Sequence, residues 1–368
     1  MEAARENLTN IHYLNYIVKE EEGGREILYF LREKMMLTTR KIRALKRESC
    51  GILLDGIPVT VRAKAQKGQK VQAMLNESEN GSFPDTGRIL PTDMDLSVLY
   101  EDEDLLFVNK PPGLVCHPSK GHRTDTLCNG ICGYFKKTEQ NAGIHLFGRL
   151  DKDTSGIVGI AKNKVTAERM TAQRLCGQFR KEYLALVWGC PSPKTGTIDI
   201  AMEEDRSSGY LKMRQGTGEG AKPAVTHYTV IKSDISAANL SGLDLPGLPD
   251  GRPGHQPQTH MSLCLITIET GRTHQIRFHM SAMGCPLVGD ALYGGAESCD
   301  EAGISEDGML YAGYEASGSA ASQNITRAAL HAYRVSFIHP FTEQEITLAA
   351  ALPEDMRSLA ETLEPMGE

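Results

Sequence analysis

Residues 148–156 read Gly148-Arg149-Leu150-Asp151-Lys152-Asp153-Thr154-Ser155-Gly156, and the five that follow, Ile157 to Ala161, are all apolar or glycine. A run of that kind after a Thr-Ser-Gly turn predicts a buried strand. Asp151 then stands on a loop anchored by rigid structure, with Arg149 and Lys152 beside it, which is how a chain displays one reactive carboxylate. Asp before such a turn is common on its own, so its weight depends on what accompanies it downstream.

Two stretches supply that company: Lys181-Glu182-Tyr183-Leu184-Ala185, then Glu269-Thr270-Gly271-Arg272-Thr273-His274-Gln275-Ile276-Arg277-Phe278-His279. With the Asp151 stretch, and in this order, they resemble the motif series of the RluA-type pseudouridine synthases, which isomerise uridine in RNA. The resemblance spans about residues 96–356. It begins with two predicted strands around the acidic turn 101–104 and the Lys110-Pro111-Pro112-Gly113 passage, and closes with the alternating segment Ala329–Pro340.

The resemblance implies an α+β fold, a mixed and largely antiparallel sheet with the active cleft across it. It implies Asp151 as nucleophile, Arg277 as its ion-pair partner, and Tyr183 as the ring that packs on the target base and helps remove the C5 proton. Arg149 would fill the vacated base stack or grip the backbone, and Arg272 and His274 would hold flanking phosphates or order their loop. Lys110 and His117, in the first family-like motif, read as structural. The chemistry breaks a carbon–nitrogen glycosidic bond, turns the uracil and remakes the link through carbon. It needs a nucleophile and a dry pocket but no metal and no cofactor. A carboxylate stays ionised in such a pocket only beside a cation. The chain departs from the family at Gly148, where His is usual.

Ahead of the catalytic region, residues 11–76 predict a strand at 11–19, a helix from Arg25 to Met36, and a second helix capped by Thr38. A hairpin turning at Asp55-Gly56 follows. Arg40, Arg43 and Arg47 recur at helical spacing and share one face. This unit resembles the small S4-type RNA-binding domain, and residues 77–95 read as a linker. The net charge of −7 argues against a nucleic-acid partner, but between 25 and 75 twelve basic residues face four acidic ones, leaving the remainder at −15. A basic docking module on an acidic enzyme has this asymmetry.

The 368 residues allow a large domain with an appendage. No apolar run reaches the length of a membrane span and no secretory leader is visible, so the expectation is a cytoplasmic monomer without membrane partners. Nine scattered cysteines suit reduced thiols, and Cys128 and Cys132 have no further ligands at zinc spacing. Stretches near 202–222, 239–258 and 295–325, rich in Gly, Ser, Pro or acids, predict surface insertions.

The expected activity is isomerisation of specific uridines in structured RNA, with large-subunit ribosomal RNA as first choice and transfer RNA as second. The alternative is a noncatalytic RNA-binding or ribosome-assembly factor, against which the joint presence of Asp151, Tyr183 and Arg277 weighs. A hydrolase would need a second acid–base group in a recognisable setting, and Gly216–Lys222 lacks phosphate-loop spacing.

Overall fold

The structure, a computed structural model, describes residues 13–75, 89–206, 210–233, 261–294, 303–304, 310–311 and 325–365. The predicted insertion at 239–258 lies outside these residues, as do nearly all of 295–325 and the first part of the predicted linker.

The N-terminal unit contains strand β1 (Tyr13–Ile17), helix α1 (Thr39–Leu45), and strands β2 (Ile52–Leu54), β3 (Ile57–Pro58) and β4 (Lys70–Met74), in sheet order β1-β4-β2-β3. Asp55 and Gly56, both at positive φ, make the predicted hairpin turn. Thr38 caps α1 as expected, its Oγ1 accepting from the Lys41 N–H. The predicted helix 25–36 is shorter, an α-turn at Ile27–Tyr29 widening through Phe30–Lys34. Its first residues are instead extended, with Glu26 bridging Lys64, and Met36 ends it with a left-handed φ of 51°.

The catalytic region begins with β5 (Ser97–Glu101) and β6 (Leu105–Lys110), followed by α2 (Leu127–Lys137), β7 (His145–Phe147) and β8 (Ser155–Ala161). Helix α3 (Lys164–Leu175) and strands β9 (Arg180–Trp188), β10 (Thr195–Asp199), β11 (Met202–Glu204), β12 (Met213–Gln215), β13 (Val225–Ser233) and β14 (Met261–Ile268) continue it. Helix α4 (Gln275–Ala282), the short pair β15 (Gly303–Ile304) and β16 (Leu310–Tyr311), then β17 (Leu330–Ile338), β18 (Glu345–Ala349), α5 (Glu354–Glu361) and β19 (Glu364–Pro365) complete the chain.

The main sheet runs β10-β13-β14-β9-β17-β8-β6-β5, antiparallel throughout except where β17 meets β8. This is the α+β, largely antiparallel architecture the motifs imply. Both faces are covered, which explains the apolar strands. On β9, Tyr183, Ala185 and Val187 join the core under α2 and α4, while Leu184, Leu186 and Trp188 join the core under α5.

Two expectations change. Residues 89–95 are not a free linker: Ile89 is buried, and the Thr92 N–H donates to the Asn129 carbonyl, so the segment straps across α2. Gly133 permits this, because a Cβ there would fall 2.1 Å from the Thr92 carbonyl oxygen. The stretch at 202–222, predicted as a surface insertion, acquires structure of its own: it holds the β11–β12 hairpin, a two-stranded sheet apart from the main one. Helix α3 joins the two units, with Val165 buried in the N-terminal core and Arg169 donating to the Met35 and Pro340 carbonyls.

Candidate active site

The Asp151 loop links β7 to β8, and its backbone carbonyls are held from beneath. Lys181 Nζ donates to the Gly148 oxygen at 2.8 Å, and Cys116 Sγ to the Leu150 oxygen at 3.2 Å. Lys110, fully buried, gives its three Nζ protons to the carbonyls of Lys152 at 2.8 Å, Pro111 at 2.9 Å and Leu114 at 2.9 Å. Arg327 reaches the Asp153 oxygen at 3.1 Å while gripping Asp355 through two nitrogens at 2.7 and 2.9 Å. Burial pushes the Lys110 ammonium down to about 8, against the pull of Cys116, Asp153 and Asp151.

At the far end of the loop, Ser155 Oγ donates to His331 Nδ1 at 2.9 Å, and His331 Nε2–H donates to the Ala350 oxygen at 3.1 Å. The first bond, with Nδ1 accepting, requires a neutral imidazole, and burial pushes His331 down to about 4 although the bond to Ala350 works against it. Gly156, next in line, has a φ of +109° and sits where any Cβ would lie 2.3 Å from the Ala332 oxygen, at the parallel β8–β17 contact. Gly148 has a φ of +65°, a conformation that disfavours a side chain where the family usually has His.

With the backbone so engaged, Leu150 and Thr154 are buried, Arg149 is exposed, and Asp151 is half-buried. Among the described residues Asp151 makes no direct hydrogen bond or salt bridge. Its charge is nonetheless felt across the cleft. Tyr183 is buried on β9, and its phenol is pushed well above its usual range by burial first and Asp151 second.

Opposite, the turn 270–275 is latched by the Gln275 side chain. It accepts from the Arg272 N–H and Thr270 Oγ1 and donates to the Val225 carbonyl and Thr226 Oγ1. His274 precedes α4 in the left-handed region, and Arg277 projects from the first turn of the helix. Arg277 does not pair with Asp151: its Nε and Nη2 reach the two oxygens of Asp290, both at 2.7 Å. Burial opposes the guanidinium charge, but Asp290, and more distantly Asp151, hold its pKa above the usual value. Asp290 also accepts the Leu292 and Tyr293 N–H groups, which fixes its position.

Tyr293 completes this wall. Its ring centre lies 5.2 Å from the Arg277 guanidinium, and its Oη accepts from the Met213 N–H at 2.8 Å and meets His274 Nδ1 at 3.2 Å. Burial first, then Arg277, lowers the His274 pKa. Arg272 spends its Nε on the Pro223 carbonyl, which orders the loop.

The structure thus brings Tyr183, His274 and Arg277 within electrostatic reach of Asp151, with Arg149 exposed two residues before it. Arg40, Arg43 and Arg47 are exposed on the N-terminal unit instead. Arg47 lies two residues past the end of α1.

Sequence reasoning missed Asp290, Tyr293, Lys181 and Arg327. The one available signal was an acid directly following the apolar run Leu287-Val288-Gly289, since such a position is usually buried and paired. A separate hollow of about 700 Å³, lined by Met202, Glu203, Arg206, Arg214, Lys222 and Thr273, lies under the β11–β12 hairpin rather than at Asp151. Asp102, Asp104 and His339 converge within 4.8 Å, as metal ligands do. Their atoms are already engaged, however: His339 bonds Asp102 and two backbone N–H groups, and Asp104 accepts from Asn163 and Thr166.

Comparison with known proteins gives the family. Residues 104–282 match the family described as RNA pseudouridylate synthase. An uncharacterised RNA pseudouridine synthase of Bacillus subtilis is 31% identical over 88% of this chain and 94% of its own. Ribosomal large subunit pseudouridine synthase D of Vibrio vulnificus is 32% identical over 85% of this chain and 82% of its own. The solved structure of human RNA pseudouridylate synthase domain containing 4 shares the fold, with a TM-score of 0.50 at 24% identity over 73% of this chain and 94% of that one. The chain is therefore an RNA-modifying isomerase. It belongs to the RluA-type RNA pseudouridine synthases. Among the described residues, no helix is long and apolar enough to cross a membrane.

Proposed function

We propose that this enzyme isomerises specific uridines of large-subunit ribosomal RNA, with Asp151 as nucleophile. The observation that carries the reading is a half-buried carboxylate without a direct partner among the described residues, on a loop held through the carbonyls of Gly148, Leu150, Lys152 and Asp153, within electrostatic reach of Tyr183 and Arg277. Relatives named for the ribosomal large subunit support the choice of RNA.

The target nucleotide leaves its stack, which costs a few kcal/mol, and Arg149 at the rim takes up the vacated place or the backbone. Asp151 attacks, the bond between C1′ and N1 breaks, and the uracil turns against the Tyr183 ring. Bond formation from C5 to C1′ then goes with release of Asp151 from its adduct, which regenerates the carboxylate, and with loss of the C5 proton, which the Tyr183 phenol relays by giving up its own proton as it takes this one, while N1 gains a proton. Arg277, fixed by Asp290, holds a positive charge that attracts the Asp151 side of the site. Residues 11–76 act as an S4-like docking module through Arg40, Arg43 and Arg47 on its exposed surface.

The deciding experiment is a transcriptome-wide pseudouridine map in cells lacking the gene, complemented with wild type or with Asp151→Asn. Specific ribosomal uridines should lose the mark and regain it only with wild type. Marks restored by Asp151→Asn would sink the nucleophile assignment, and loss confined to transfer RNA would replace the substrate.

A further inference from the structure

Lys181 takes no part in the chemistry as described, yet its side chain meets both proposed catalytic elements. Its Nζ donates to the Gly148 carbonyl at 2.8 Å, three residues before Asp151, and stands 5.4 Å from the centre of the Tyr183 ring. Residues 181 and 183 are alternate on β9, so ammonium and ring emerge on one side of a strand paired on both edges. Gly148 holds a φ of +65°, which aims its carbonyl at this ammonium with a backbone conformation that L side chains rarely adopt.

We propose that Lys181 is a positioning residue for the isomerisation: by joining the Gly148 carbonyl to the face of Tyr183, its ammonium sets the spacing between the Asp151 loop and the ring that covers the target base. The proposal rests on the assignment of Asp151 and Tyr183 made above. A hydrogen bond from a charged donor is stronger than a neutral one, and a cation over an aromatic face adds to it in a dry site.

The charged and titratable groups around Lys181 are Lys110 at the end of β6, Cys116 from the segment after it, His331 from β17, and Tyr183 on its own strand. Burial is the main influence on Lys181, with Lys110 reinforcing it and Cys116 opposing it, and brings the ammonium down to about 7. The sign follows. Below that pH the side chain is charged and the clamp is intact; as pH rises through it, the amine becomes neutral and the grip on ring and carbonyl weakens.

The test uses the full-length enzyme and total RNA, tritiated at uridine C5, from cells lacking the gene, with tritium release measured between about pH 6 and about pH 9. Lys181→Met should lower kcat about 10- to 100-fold at the acid end, with KM changed by less than about threefold, and should abolish the alkaline decline. Lys181→Arg, charged across the range, should recover most of the rate and carry it to alkaline pH. A Lys181→Met enzyme with wild-type kcat overturns the proposal. So does a Lys181→Arg enzyme that declines with pH as wild type does, and this second variant decides the matter if the first does not fold. Asp151→Asn runs in parallel: if it retains activity, the functional assignment fails whatever Lys181 does, whereas an inactive Asp151→Asn beside an unaffected Lys181→Met overturns only the positioning role.

Discussion

The Asp151 loop is gripped through its backbone, whereas the Arg277 helix is gripped through a side chain. Beneath the loop, Lys181, Cys116, Lys110 and Arg327 all bond carbonyl oxygens, so the loop is rigid while the Asp151 carboxylate keeps its lone pairs for other work. Across the cleft, the Arg277 guanidinium is itself the anchored group, held by both oxygens of a buried Asp290. The first arrangement leaves its functional group available; the second leaves its functional group immobile. The roles proposed for Asp151 and Arg277, a nucleophile and a fixed positive charge near it, call for those opposite treatments.

The comparison breaks most sharply if Arg277 loses its partner. Asp290→Asn should destabilise the fold by about 3–5 kcal/mol, because a buried charge is left uncompensated. Arg277→Met combined with Asp290→Leu should recover most of that stability in denaturant unfolding while leaving tritium release from C5-labelled RNA negligible. Recovery of both would mean that the pair serves packing alone.

The next effect belongs to the other wall. His331, which accepts from Ser155 at the end of the Asp151 loop, has a folded pKa of about 4 against an ordinary value of 6.5. On acidification the unfolded chain takes up a proton first, so stability present above the ordinary value is lost as pH falls towards 4. A shift of this size corresponds to about 3 kcal/mol. Unfolding midpoints measured through this window should show the loss in wild type and a flatter profile in His331→Gln. The smallest effect lies outside both walls. Replacing Arg40, Arg43 and Arg47 by Gln should leave stability nearly unchanged, since all three are exposed. It should reduce the slope of log affinity for RNA against log salt by about 2–3. An unchanged slope would remove the docking role from that face.

Much of this was legible from local sequence. The run after Gly156 is a strand buried on both faces, Thr38 caps its helix, and Asp55-Gly56 turns its hairpin, because each depends on neighbours within a few residues. The failures share a cause as well. The helix at 25–36 is cut short because Glu26 bridges Lys64, and residues 89–95 lie against α2 because Gly130 and Gly133 open a bare face for them. In both cases a distant segment overrides what the local pattern favours.

The amino-acid sequence by itself determined the family and the α+β class and singled out Asp151, Tyr183 and Arg277 as candidates, because motifs are properties of short stretches of chain. Tertiary structure alone decided that Arg277 answers to Asp290 rather than to Asp151, and that four side chains from three separate segments converge on the carbonyls of the Asp151 loop. Charge pairing depends on distances of a few ångströms between residues far apart in the chain, and only the packed sheet sets those distances.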